Sequence, residues 1–148
     1  MACHEGRAPA SDVFLIERFD IMPRTPSREQ PATPSGALPA HVPPNVRAAL
    51  TEAQERLREA YGERLRRVVL YGSRARGDAT EESDVDVLVV LSGPIENSYQ
   101  EIKRANSFWG EFLTRYGLSF SVKPYTEEAY RDRRRPFIRN VRRDGIPL

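Results

Sequence analysis

The residues able to do chemistry in this chain fall in two short segments, Tyr71-Gly72-Ser73-Arg74-Ala75-Arg76-Gly77 and Ser83-Asp84-Val85-Asp86-Val87. A Gly-Ser pair between a strand and a helix can present backbone N–H groups and a hydroxyl to a phosphate. Glycine permits close backbone approach, and helix N-termini favour anions. Gly72 and Ser73 are therefore candidate phosphate contacts. Arg74 beside them can pair with phosphate oxygens through its planar fork. Alone, the first segment has a plainer meaning, in which Gly72 ends a strand, Ser73 caps a helix, and Arg74 and Arg76 face solvent or pair with Glu81 or Glu82. Asp84 and Asp86 alter that balance. At the head of a strand residues i and i+2 share a side, so the two carboxylates converge while Val85 and Val87 point into the other layer. Such a pair loses hydration and repels itself unless a cation lies between the two groups. A hard ion such as Mg²⁺, or Mn²⁺, accepts oxygen donors and keeps places for waters and substrate phosphates. Asp84 and Asp86 are thus the candidate metal ligands and catalytic residues, and the two segments together describe a metal–nucleotide site.

Those residues need elements to hold them. The run VRAALTEAQERLREAYGERL places Val46, Leu50, Leu57 and Tyr61 at helical spacing, with Asn45 able to cap its start and Gly62 near its end. RVVLY, residues 67–71, reads as a buried strand and GSRARGDATEES as a turn with a short helix. VDVLVVL, residues 85–91, reads as a second strand. A single helix is predicted from about Ser98 to Tyr116, with Ile102, Phe108, Trp109, Phe112 and Leu113 on its apolar side. LSFSVKPY, residues 118–125, follows as a third strand. Thr126-Glu127-Glu128 opens another helix, and PFIRNVRRDGIPL contains a last one closed by Gly145. The expected fold class is α+β, a small mixed sheet with helices packed mainly on one face. Phe108, Trp109, Phe112 and Tyr116 could stack on a base, but their helical spacing favours core packing.

Composition narrows the chemistry. The 148 residues suit one compact domain. Eight of the twelve prolines precede Asn45, so residues 1–44 are expected to be disordered or extended and residues 45–148 to form the domain. Within the leading stretch DVFLIERFDI is an apolar island able to dock as a short helix. Cys3 has no cysteine partner for a disulfide or zinc site, and the two histidines, His4 and His41, also lie in that stretch, so carboxylates must carry any metal chemistry. No apolar run approaches the roughly 20 residues of a membrane span, and no secretory signal opens the chain, so a cytoplasmic protein without membrane attachment is expected. The net charge is only +2, yet seven arginines lie between Arg131 and Arg143. They form either a solvated helix face or an anion-facing surface for nucleotide, RNA or an acidic partner.

The pattern GSRARG…SDVDVLV resembles the signature of the nucleotidyltransferase superfamily of DNA polymerase beta type, in particular its minimal nucleotidyltransferase domains. The resemblance covers roughly Asn45 to Leu148. It implies that Gly72 and Ser73 hold the triphosphate of an NTP, that Asp84 and Asp86 ligate divalent metal, and that a nucleoside monophosphate moves to a hydroxyl with pyrophosphate leaving. The acceptor would be a protein, a small molecule or RNA.

The resemblance also implies a third carboxylate on the strand after the long helix. Here Ser119, Ser121 and Lys123 stand at the outward positions and none is acidic. Glu127 or Glu128 could reach back, although both suit the first turn of a helix. Lys123, if near the site, could bind a phosphate or replace one metal charge. Three functions follow: a metal-dependent nucleotidyltransferase; a catalytically degenerate member that binds nucleotide or a small helical partner protein, as in toxin–antitoxin pairs; and an RNA-binding module using the basic C-terminal end.

Overall fold

The computed structural model describes residues 37–148. The leading segment up to residue 36, with Cys3, His4 and the DVFLIERFDI island, lies outside the described residues. Helix α1, Pro44–Tyr61, starts through its prolines: Pro43 is the N-cap in extended conformation and Pro44 opens the helix, with no side-chain cap. Asn45 is therefore inside the first turn and does not cap it. A proline at the first helical position loses nothing by lacking an N–H, and it holds the residue before it extended. The packed unit also reaches back before residue 45. Val42 is buried, and Arg47 donates to the carbonyls of Val42 (2.8 Å), Leu38 (2.7 Å) and Pro39.

Strand β1, Leu65–Tyr71, is followed by the one-turn helix α2, Ser73–Arg76, and by strand β2, Val85–Leu91. Where one long helix was predicted there are two, α3, Ser98–Ala105, and α4, Trp109–Tyr116. Polar side chains at the junction compete for the helix carbonyls, which breaks it. Asn106 Nδ2 donates to Ile102 O at 2.7 Å and Val122 O at 3.4 Å, and Ser107 Oγ donates to Arg104 O at 3.0 Å. The break turns Ile102 and Leu113 outward, whereas Trp109 and Phe112 remain buried. Trp109 stacks on Phe120 at 4.5 Å between centroids, and Phe112 meets Phe120 edge-on at 5.2 Å. The aromatic run of α4 is core.

Strand β3, Phe120–Thr126, leads into α5, Glu127–Arg131, capped by Thr126 Oγ1 accepting from Ala129 N at 3.1 Å. Helix α6, Pro136–Asp144, ends at Gly145 as expected, and a two-residue strand, β4, Ile146–Pro147, adds a pairing that the sequence pattern did not suggest. The sheet order is β3-β2-β1-β4, with β1 antiparallel to β2 and β4 and β2 parallel to β3.

Alternation along β2 sorts the two layers. Val85, Val87, Val89 and Leu91 join the larger core with Val46, Leu50 and Leu57 of α1 and Trp109 and Phe112 of α4. Leu88 and Val90 face the other way with Val69 and Tyr71, under Ile138 and Val141 of α6. The result is the expected α+β domain, its helices mainly on one face and α6 covering part of the second. No helix among the described residues is long and apolar enough to cross a membrane.

Candidate functional site

The site forms where β1 runs out beside the start of β2. Tyr71 pairs with Asp86 across the antiparallel ladder, so the next residue, Gly72, must turn the chain next to the Asp86 carboxylate. Gly72 has φ 73° and ψ −155°, a conformation essentially confined to glycine. A Cβ there would collide with Asp86 Oδ2 and lie 3.2 Å from its Cγ. Ser73 then begins α2, whose single turn is closed by Arg76 N to Gly72 O at 3.2 Å and Gly77 N to Ser73 O at 2.9 Å. Its first N–H groups have no acceptor within the turn. Gly72 is thus brought beside Asp86 across a gap of chain, with Ser73 following it.

Asp84 precedes the first residue of β2 and is exposed, whereas Asp86 is half-buried on the face shared with Leu88 and Val90. Burial pushes the Asp86 carboxyl above its ordinary value, and the Asp84 charge adds to the rise. The Lys123 ammonium first, then the neighbouring Ser121 and Arg76, oppose it. The two carboxylates are thus close enough for the Asp84 charge to act on Asp86, although Asp84 lies outside the strand.

Arg74 has a different setting from the phosphate contact considered above. It is buried, and its guanidinium donates from Nε and Nη2 to Ser83 O at 3.0 and 2.6 Å and from Nη2 to Glu81 O at 3.4 Å. Its partners are backbone carbonyls, not the Glu81 or Glu82 side chains. The interaction ties α2 to the loop that delivers Asp84. Arg76 pairs with Asp78 at 3.1 Å.

Strand β3 supplies the third side of the site. Ser121 lies opposite Asp86 in the parallel register, and Lys123 lies opposite Leu88. The Lys123 Nζ stands over the Phe137 ring at 5.1 Å and the Tyr71 ring at 6.0 Å from their centroids. Neither Glu127 nor Glu128 completes the carboxylate set. Thr126 pairs with Leu91, five residues along β2 from Asp86, which is about 16 Å at the rise of a strand. Glu127 pairs instead with Arg131 at 3.3 Å and Arg66 at 3.9 Å. Among the described residues no cluster of three or more His, Cys, Asp or Glu could hold a metal. Asp84 and Asp86 are the carboxylates that could contribute oxygen ligands to a hard divalent ion here.

One polar group was not anticipated. The Tyr71 hydroxyl is buried without a hydrogen-bond partner, and burial together with the nearby Asp86 charge pushes its pKa upward. Its only sequence signal is a tyrosine directly before Gly72. At the basic end, Arg134 and Arg135 pair with Asp132, Arg143 pairs with Asp144, and Arg142 stacks over Tyr130. Much of that charge is therefore matched locally.

Residues 50–143 match the family model of the nucleotidyltransferase domain, and the chain belongs to that family. Two relatives from Methanocaldococcus jannaschii, each named "putative protein adenylyltransferase", are 32% identical over 105 residues and 35% identical over 72 residues. The first alignment covers 70% of this chain and 98% of the relative; the second covers 49% of each. The crystal structure of a putative nucleotidyltransferase from Sulfolobus solfataricus is 22% identical, covering 76% of this chain and 90% of that one with a TM-score of 0.44.

Proposed function

We propose that the chain transfers a nucleoside monophosphate from an NTP to a hydroxyl of a protein acceptor, with Gly72 and Ser73 holding phosphate and Asp84 and Asp86 holding a divalent ion. The observation that supports this most is the apposition of Gly72 to the Asp86 carboxylate. The glycine gives the Asp86 carboxylate room against the backbone where α2 starts. The protein acceptor is taken from the names of the two relatives, and it selects one of the acceptor classes that the sequence left open.

In this reading the Ser73 hydroxyl and the first N–H groups of α2 bind the polyphosphate. Ser121 lies opposite the Asp86 carboxylate across the β2–β3 pairing, and Arg74 fixes the loop carrying Asp84. A Mg²⁺ or Mn²⁺ ion bound there would supply positive charge to the phosphates as negative charge develops on them. The acceptor oxygen forms a bond to the α-phosphorus while the bond to the bridging oxygen breaks. That oxygen leaves with its electron pair as pyrophosphate, and the hydroxyl proton passes to solvent.

The test is transfer of label from each α-labelled NTP in cell extract with Mg²⁺ or Mn²⁺, comparing the native chain with Asp84→Ala/Asp86→Ala. Labelled protein that disappears in the double variant supports the reading, whereas label confined to RNA or small molecules removes the protein acceptor. A second reading, nucleotide or partner binding without turnover, is favoured by the lack of a third carboxylate at the site among the described residues. Metal-dependent NTP binding with no transfer would select it.

A further inference from the structure

We infer that Lys123 is a phosphate-binding cation of this site, an ammonium that neutralises the nucleotide's triphosphate opposite Asp84 and Asp86, so that the site operates with a single divalent ion. The inference rests on the nucleotidyl-transfer reading above and specifies how that site balances its charge.

A triphosphate is a polyanion, and the site already presents two carboxylates to it. Positive charge must therefore come from the bound ion and from side chains on the same face. The nearby arginines have other partners. Arg74 is buried against the carbonyls of Ser83 and Glu81, Arg76 pairs with Asp78, and Arg66 pairs with Glu127. Lys123 remains. It is exposed, and among the described residues it joins no ion pair within 4.0 Å.

Its place follows from strand geometry. Ser121 is in register with Asp86, and Lys123, two residues on, shares the face of Ser121. That face carries Asp86, and the Lys123 charge acts on the Asp86 carboxyl. The ammonium stands over Phe137 from α6 and Tyr71 from β1, the residue that immediately precedes Gly72. A cation over two ring faces is held in position without a direct ion pair, so its charge remains available to an anion. A lysine ammonium serves phosphate as a compact point charge.

The same geometry limits the number of metal ions. A pair of divalent ions needs several anionic oxygens to hold both against their mutual repulsion. Here Asp86 has a serine for its neighbour on β3, and a fixed positive charge stands one alternation further on. That charge repels a second ion and replaces part of its electrostatic effect. Lys123 takes no part in proton transfer; during displacement at the α-phosphorus its charge stabilises the phosphate oxygens as pyrophosphate departs.

The test uses α,β-methylene-ATP, which binds without being cleaved at the α-phosphorus, together with Mn²⁺. Calorimetry measures analogue affinity and electron paramagnetic resonance counts the bound Mn²⁺. The native chain is expected to bind one Mn²⁺ per analogue. Lys123→Met should weaken analogue binding about ten- to a hundredfold, as expected for loss of a charge-assisted contact, with Lys123→Arg restoring most of it. The side chain is exposed, so the near-ultraviolet circular dichroism of both variants should match the native chain. Two Mn²⁺ per analogue in the native chain, or unchanged affinity in Lys123→Met, overturns the inference while leaving nucleotide binding intact. Failure of the native chain to bind the analogue overturns the nucleotidyl-transfer reading and this inference with it.

Discussion

Gly72 lies so close to Asp86 across the β1–β2 pairing that a methyl group on it would stand 3.2 Å from the Asp86 Cγ and overlap a carboxylate oxygen. The glycine therefore serves two ends. It permits a backbone conformation that other residues avoid, and it leaves the room that the Asp86 carboxylate occupies. Gly72→Ala should lose about 1–3 kcal/mol of stability from backbone strain alone. It should also displace the Asp86 carboxylate. The expected outcome is a lower urea midpoint together with NTP affinity reduced at least about tenfold, the loss of one charge-assisted contact. Titration under conditions where the variant remains folded checks it.

Arg74 is expected to act on the loop ahead of Asp84. Arg74→Met removes the donors that serve the Ser83 carbonyl and should cost about 1–3 kcal/mol for a buried acceptor left unpaired. Faster amide exchange confined to residues 80–84 is the expected signature. Unchanged exchange there, with reduced NTP affinity, would return Arg74 to the phosphate-contact role.

Phe112 packs against Trp109, Tyr116 and Phe120 and is buried. Phe112→Ala should destabilise the domain by about 3–5 kcal/mol, measured by urea unfolding, because a large aromatic leaves a cavity. Nucleotide affinity of the folded fraction should not change. A selective loss of purine over pyrimidine binding would instead make this cluster a base platform.

Glu52 links α1 to α4, accepting from Arg115 Nη1 at 2.6 and 2.7 Å and from the Tyr116 hydroxyl at 2.7 Å. The Tyr116 hydrogen bond first, then Arg115, holds its carboxyl below the ordinary value of 4.5. A carboxyl with a lowered folded-state pKa contributes stability that is fully present above the unfolded value and lost as pH falls through the folded one. The melting temperature of the native chain should therefore exceed that of Glu52→Gln above about pH 5, and the two should converge as the medium becomes more acidic. Melting curves across that range check the sign.

The framework of the site was legible because its signals are local. Strands 67–71 and 85–91 announced themselves as short β-branched runs, and the i, i+2 spacing of Asp84 and Asp86 at the head of the second was read directly from the residues. The helix break at Asn106 was not legible in the same way. Its apolar residues keep helical spacing, and the competing acceptor at Val122 belongs to a strand sixteen residues away. Strand β4 was hidden for a similar reason, since two residues ending in proline carry no periodicity and are defined only by pairing with Val69 and Leu70.

By itself the sequence determined the pair of segments, the α+β order, the i, i+2 spacing of Asp84 and Asp86, and the lack of an acid on the third strand. Each is a property of residue type and short spacing. Tertiary structure alone decided which groups those segments meet. It set Ser121 beside Asp86 through parallel register, moved Glu127 to the far end of the sheet, turned Arg74 toward backbone carbonyls, and placed Lys123 over Tyr71 and Phe137. The physical reason is that a side chain's charge acts over a few ångströms of space, and in a sheet of mixed direction those ångströms join residues dozens of positions apart.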